Sequence, residues 1–257
     1  MSIKKINIKT AESILDFSGG QEGLEPLAAI QMEGAVALHN MIADDSIGLG
    51  YLADEVGMGK TYIALGVVAL MRYFNPSLRV LYLCPSNNVQ DKWIREYRSF
   101  TESNLRVSQY RIRTPQGKPA IPYVNCRRVR DLIEHSASGY CADFFVGKGM
   151  FSMGMGDDPA NLNRNLKDLK HILPGYTSKE IEKGNLEKEA VKDEFAKALN
   201  HILPTFDLVI IDESHNFKHS FGSSDRNRVL SQVLGVKNEG KFIPRIKNAL
   251  LLSATPY

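Results

Sequence analysis

The sequence predicts an α/β domain, a mainly parallel central sheet with helices on both faces. Three observations carry that expectation. Two strand–loop–helix units follow one another directly, between about residues 47 and 100. Two later apolar runs, in "FDLVIIDESHNFKH" and "NALLLSATPY", have the length and the abrupt polar endings of buried strands. The strands are apolar nearly throughout instead of alternating, as strands covered on both faces are.

The first unit is "IGLGYLADEVGMGKTYIALGVVALMRYF". A short apolar run turns through glycines into a helix with Ile63, Val67, Leu70, Met71 and Phe74 at helical spacing. The second, "LRVLYLCPSNNVQDKWIREYRSF", gives a strand over Val80–Cys84, a Pro-Ser-Asn-Asn turn and a helix carrying Trp93 and Tyr97. Between Glu102 and Asp131 there is no acidic residue, while Arg106, Arg111, Arg113, Lys118, Arg127, Arg128 and Arg130 fall inside. This local charge asymmetry makes the segment a candidate for phosphate contact, with a solvated loop as the equal alternative.

"DFFVGKGMFSMGMGDDP" reads as a strand entering a loop rich in glycine and methionine. "SKEIEKGNLEKEAVKDEFAKALNHIL" is mostly charged with one apolar stripe, Val191, Phe195, Leu199 and Ile202, which predicts a surface-lying structural helix ended by Pro204. A strand follows over "FDLVII", then a helix over "DRNRVLSQVL", then the strand "NALLLS". No internal repeat, low-complexity tract or Pro/Ser linker divides the chain, so one α/β domain is expected after about residue 20.

Bulk properties exclude several classes. At 257 residues and 43% hydrophobic content the chain is globular, not disordered. A formal charge of +3 permits an anionic partner without demanding one. There is no signal-peptide run and no stretch of roughly 20 apolar residues to span a bilayer, so no membrane partner is expected and the protein is expected to be soluble and cytoplasmic. Cys84, Cys126 and Cys141 match no zinc spacing and are expected to be reduced thiols.

The chemistry sits in "LADEVGMGKTYIAL" and "LVIIDESH". A phosphate site needs backbone N–H groups converging at the start of a helix, where the dipole and the unpaired first-turn donors favour anions. Gly57 and Gly59 let the backbone curl that tightly, Lys60 can reach the β- and γ-phosphates, and the Thr61 hydroxyl can ligate Mg²⁺. The strict motif has glycine where Asp54 stands. A magnesium–nucleotide site also needs a carboxylate at a neighbouring strand end and a group that polarises water; Asp212 and Glu213 are the candidates. The competing reading makes the pair a cap on a strand-to-loop turn. The joint occurrence of both halves favours the site.

In this order, "ADEVGMGKT", "DESH" and "LLLSATP" resemble motifs I, II and III of superfamily-two DExH helicases, and the acidic residues before the glycines resemble Swi/Snf-type ATPases and their bacterial relatives. Asp54 is commonly acidic there, which makes it a variant of the loop; Ala254 stands where many Swi/Snf members have glycine. The resemblance implies a P-loop, RecA-like three-layer sandwich binding ATP and Mg²⁺. Its nucleotide would be held by Glu55, Val56, Gly57, Met58, Gly59, Lys60, Thr61 and Tyr62, its metal by Thr61 and Asp212, and catalysis would fall to Lys60, Asp212, Glu213 and His215.

The same resemblance gives Gln31, in "LEPLAAIQMEGAVAL", the adenine edge, against the alternative of a surface glutamine on an amphipathic helix. "LYLCPSNNVQDKWIREY" is similar to motif Ia, with Pro85, Trp93 and Glu96 at family spacing; Ser86 and Asn87 would touch a nucleic-acid backbone, or form the turn. Ser253 and Thr255 of motif III would couple nucleotide state to nucleic-acid grip, with a polar turn as the plain alternative. His215 is expected beside motif III or the opposing lobe, and "FFVGKGMFSM" stands where motif Ib would.

By the resemblance, residues 1–23 are an N-terminal extension and 24–257 the first RecA-like lobe, with an insertion at about 102–204. A second lobe in cis is implied, supplying arginines to the transferred phosphate, so the chain is expected to be a fragment of a longer, bacterial-type polypeptide. The function implied is an ATPase moving on nucleic acid, double-stranded DNA ahead of RNA, weak or inactive without its second lobe. The alternatives are a strand-separating helicase or restriction/defence motor, and a non-catalytic, nucleotide-gated binding module. Retention of the water-polarising carboxylate argues against the last.

Overall fold

Successive strand residues point to opposite faces, and that alternation sorts the core into two layers. The computed structural model describes residues 3–44, 46–53, 57–106, 112–151, 188–217, 225–238 and 241–254. Among these residues eight strands form in chain order: β1 (Leu49–Ala53), β2 (Val80–Cys84), β3 (Ile121–Cys126), β4 (Cys141–Gly147), β5 (Phe206–Ile211), β6 (Gly235–Asn238), β7 (Lys241–Pro244) and β8 (Ile246–Ser253). Six of them make one sheet in the order β1-β8-β5-β2-β4-β3, every pairing parallel. Val80, Tyr82 and Cys84 enter one core cluster, Leu81 and Leu83 the other.

The first face is covered by α1 (Ile8–Glu12), α2 (Glu25–Ile42), α3 (Lys60–Phe74) and α4 (Asn87–Ser103), through residues such as Ala35, Val67, Leu70 and Trp93. The second is covered by α5 (Val129–Ser138), α6 (Lys188–Ile202) and α7 (Asp225–Leu234), through Leu132, Phe195, Leu199, Val229 and Val233. The result is a three-layer α/β sandwich with a parallel central sheet, the fold class the sequence predicts. Within the first layer Tyr82 stacks on Phe145 at 4.2 Å and 17° and touches Trp93 at 5.6 Å. Such aromatic pairs each add roughly 0.5–1.5 kcal/mol beyond burial.

Several expectations change. Within the stretch expected to be an extension, Ala11, Ile14, Leu15 and Phe17 are buried in the first cluster. Gly66 makes this possible, because a Cβ there would lie 2.5 Å from the Phe17 ring. The region taken as an insertion supplies sheet strands β3 and β4; only its residues 107–111 and 152–187 lie outside the described residues. Helix α6 is not surface-lying, since Phe195, Ala196, Ala198 and Leu199 are buried against the sheet. Its charges had concealed the small residues that let it approach. The Pro-Ser-Asn-Asn turn is shorter than expected: Ser86 caps α4, accepting from the Val89 N–H at 3.4 Å, and Asn87 and Asn88 already belong to the helix. The β6–β7 hairpin was not foreseen.

One ion pair crosses the core. Arg72, at the end of α3, donates from Nη1 and Nη2 to Asp143 Oδ2 and Oδ1 at 2.8 and 2.6 Å, and from Nη2 to the Leu78 carbonyl at 3.1 Å. The two side chains are 2% and 0% exposed. The three cysteines are buried, and burial pushes the Cys84 and Cys126 thiols up, that of Cys126 to about 12. No described helix is long and apolar enough to cross a membrane.

Candidate active site

Because the six strands run parallel, all their carboxyl ends lie along one edge, and the pairing registers bring them level. Tyr51 of β1 faces Leu251 of β8, which faces Ile211 of β5, which faces Leu83 of β2, which faces Val146 of β4. Ser253, Asp212 and Ser86 stand one to three residues beyond this common rung, and on β1 the loop glycines Gly57 and Gly59 follow it six and eight residues on. The strands bearing the loop and the carboxylate are not adjacent, as expected from sequence, but flank β8. At one strand spacing each, they are separated by about 10 Å.

On the loop side, Gly59 takes the left-handed conformation, φ 77°, and starts α3 with Lys60 and Thr61 as its first two residues, both half-buried. Gln31 is buried on α2, 5% exposed, so the surface alternative for it fails. Its Nε2 donates to the Met58 carbonyl at 3.3 Å, and a Cβ on Gly59 would lie 2.2 Å from that nitrogen. Gln31 thus holds the loop that passes over it. Beside it opens a cavity of about 240 Å³ with Phe17, Leu24, Ala28, Gln31, Tyr62 and Ser99 in its walls. The Tyr62 hydroxyl donates to Ser99 Oγ at 3.3 Å and its ring meets Phe100 edge-on. Asp54, Glu55, Val56 and Thr255 lie outside the described residues.

Gly59→Ala is expected to lose nucleotide affinity by about tenfold or more, the equivalent of one charge-assisted hydrogen bond. The added methyl both strains the turn and displaces Gln31. Calorimetric titration with ADP checks this; unchanged affinity would separate Gln31 from the loop's function.

On the carboxylate side, Asp212 continues β5, its N–H donating to the Leu83 carbonyl at 3.0 Å. Ile210 faces the α3–α4 layer, so Asp212, two residues on, emerges on that same face. Its Oδ2 accepts from Trp93 Nε1 at 2.8 Å and its Oδ1 from the Glu213 N–H at 2.9 Å. Burial pushes the Asp212 carboxyl pKa up; the Trp93 hydrogen bond opposes this and the Glu213 charge adds to it. Glu213 is the one described non-glycine residue with positive φ, 52°, a conformation costing about 1–3 kcal/mol and concentrated at functional sites. His215 Nδ1 lies 3.2 Å from Ser253 Oγ and 3.2 Å from Glu213 Oε2. The structure therefore joins Glu213, His215 and the buried Ser253 across β5 and β8.

These residues suit Mg²⁺ in one specific way. A carboxylate has about four acceptor positions, and described partners use two on Asp212. Among the described residues no group of three His, Cys, Asp or Glu side chains could hold a metal alone. Mg²⁺ needs no such cage: it is held by one or two protein oxygens together with phosphates and water. Asp212 and Thr61 are the donors on offer.

Further along the edge, Ser86 and Asn87 are exposed at the start of α4. The basic segment is less bare in space than in sequence. Arg106 pairs with Asp16 at 3.0 Å, Arg127 with Asp91, and Arg130 with Glu134 at 2.6 Å; Arg111 lies outside the described residues. Carboxylates from other segments answer two of its charges, and Glu134, one turn further along α5, answers a third. Trp93 is the site residue whose part the sequence did not reveal: its spacing was noticed, its contact with Asp212 was not.

Residues 26–127 match the profile of a family described as the type III restriction enzyme res subunit. No curated protein matches the chain. Among solved structures it is similar to the SWI2/SNF2 ATPase core of Sulfolobus solfataricus in complex with double-stranded DNA, at 15% identity and TM-score 0.49 over 88% of this chain and 31% of that one. It is also similar to the type ISP restriction-modification enzyme LlaBIII bound to DNA, at 13% identity and TM-score 0.47 over 90% and 12%. A third is the yeast DEAD-box splicing factor Prp28, at 12% identity and TM-score 0.42 over 94% and 45%. The chain spans less than half the length of each.

Proposed function

We infer that this chain, a RecA-like lobe of the superfamily-two helicase kind, binds Mg²⁺·ATP at the carboxyl edge of its sheet and belongs to a motor that couples ATP hydrolysis to movement along duplex DNA. The observation that carries the reading is the shared register of β1, β8 and β5, which brings the glycine loop, Ser253 and the Asp212–Glu213 pair to one level. Three separate sequence segments thereby leave the sheet on one edge, as a single triphosphate site would require.

In this reading the N–H groups at the start of α3 and Lys60 hold the phosphates. The cavity beside Gln31 takes the base. Thr61 and Asp212 hold Mg²⁺, which when bound neutralises charge on the phosphate oxygens. Glu213 orients the attacking water and accepts its proton, while His215 ties Glu213 to Ser253 at the end of β8. A second RecA-like lobe in cis closes over the nucleotide and adds cationic groups to the phosphate. Duplex DNA follows from the motif resemblance, with Ser86 and Asn87 at an exposed helix start where a phosphate is well received.

The test is ATP turnover of the polypeptide carrying both lobes, with and without duplex DNA. Turnover is expected to rise several-fold at saturating duplex, and a rate indifferent to DNA would remove the translocase assignment. A forked-duplex displacement assay then separates translocation from strand opening.

A further inference from the structure

We propose that Trp93 is a positioning residue for Asp212, tying the metal-site carboxylate to α4 so that occupancy of the metal site is felt by the helix that starts at the next strand tip. This rests on the nucleotide reading above and goes beyond it, because the motif resemblance gives Trp93 a spacing but no task.

Packing explains most of Trp93 but not its nitrogen. The side chain is 2% exposed and lies against Tyr82 at 5.6 Å, which is in turn stacked on Phe145. A phenylalanine would fill much of the same space. What the indole adds is one N–H, and a buried indole N–H requires an acceptor. That acceptor is Asp212 Oδ2, at 2.8 Å. With Oδ1 engaged by the Glu213 N–H at 2.9 Å, both carboxylate oxygens are held, which fixes the rotation of the group and the direction in which its remaining lone pairs point.

The anchor is rigid on both sides. Tyr82 and Ile210 are direct register partners on β2 and β5, so the strand beneath Trp93 and the strand that ends in Asp212 cannot shift independently. Outer contacts of this sort orient a ligand, and their loss typically weakens metal affinity or activity by about 10–100-fold. A cation drawing electron density from Asp212 also weakens what Oδ2 offers the indole. The exchange reaches α4 directly, and α4 begins at Ser86 and Asn87, the exposed pair beyond the Asp212 strand.

Trp93 is the single tryptophan of the chain, so its indole N–H gives one resolved proton–nitrogen resonance. In the ADP-loaded chain, Mg²⁺ is expected to move that resonance and Mn²⁺ to broaden it. Trp93→Phe is expected to weaken Mg²⁺ affinity in the presence of ADP by about tenfold or more, while ADP affinity without metal stays at the wild-type value. A resonance untouched by either cation, or equal Mg²⁺ affinity in wild type and W93F, overturns the proposal and leaves the nucleotide reading standing. A wild-type chain that takes up ADP neither with nor without Mg²⁺ overturns both. Should the variant fail to fold, the wild-type resonance decides alone.

Discussion

Asp143→Asn is expected to lower the unfolding free energy by about 3–5 kcal/mol, because it leaves the Arg72 guanidinium buried without its counter-charge. For a chain of this size that corresponds to a fall in melting temperature of roughly 6–20 °C. The pair is bidentate and almost wholly enclosed, 2% and 0% exposed, so water cannot take the place of the lost partner. Arg72→Met is expected to be comparably damaging for the mirror-image reason. The double variant Arg72→Met/Asp143→Leu should regain most of the loss, since no buried charge remains. Thermal unfolding of the three variants settles the matter: a mild single-variant effect would mean that solvent reaches the pair. The site itself is remote, as Lys60 opens the helix that Arg72 nearly ends, and nucleotide affinity of whatever fraction stays folded should be unaltered.

Glu213→Gln is expected to cut ATP turnover by about 10²-fold or more while leaving Mg²⁺·ATP bound, because the amide preserves size and hydrogen bonding but accepts no proton. The positive φ of Glu213 and the approach of His215 to its Oε2 at 3.2 Å are the observations that motivate this expectation. A turn cap would tolerate the exchange, and turnover would stay near wild type. Single-turnover hydrolysis and equilibrium nucleotide binding, measured side by side, distinguish the two, since a binding defect would point to collapse of the site.

Local periodicity was the most legible layer of the sequence. The β2 strand at Val80–Cys84 and the α7 helix at Asp225–Leu234 fall where the apolar pattern puts them, because both bury a complete stripe or run. The five-residue α1 is too short to show a period, and the reason residues 11–17 are core lies far off in chain, at Gly66. Strand order was illegible for a related cause. Parallel strands joined by helices can be placed in several orders without changing any one strand's composition, so nothing in "LLLSATP" announces that β8 runs between the loop strand and the carboxylate strand. Motif chemistry named candidate residue types for a site; it did not supply the contacts between segments. Trp93 meets Asp212 across 119 residues, and an apolar helix stripe accounts for a tryptophan without any such contact. The acid-free basic segment is the opposite case, since Asp16 and Asp91 pair with Arg106 and Arg127, whose charges a window of sequence leaves bare.

The placement of β8 limits how the two halves of the site can communicate. It is hydrogen-bonded along both flanks, to β1 and to β5, and sliding it by one residue would turn Leu250 and Leu252 out of their layer. It therefore cannot act as a piston. In the nucleotide reading, a signal between the triphosphate and a polymer track therefore passes through side chains at the strand ends, such as Trp93 on Asp212, and the strands beneath them serve as a fixed bed.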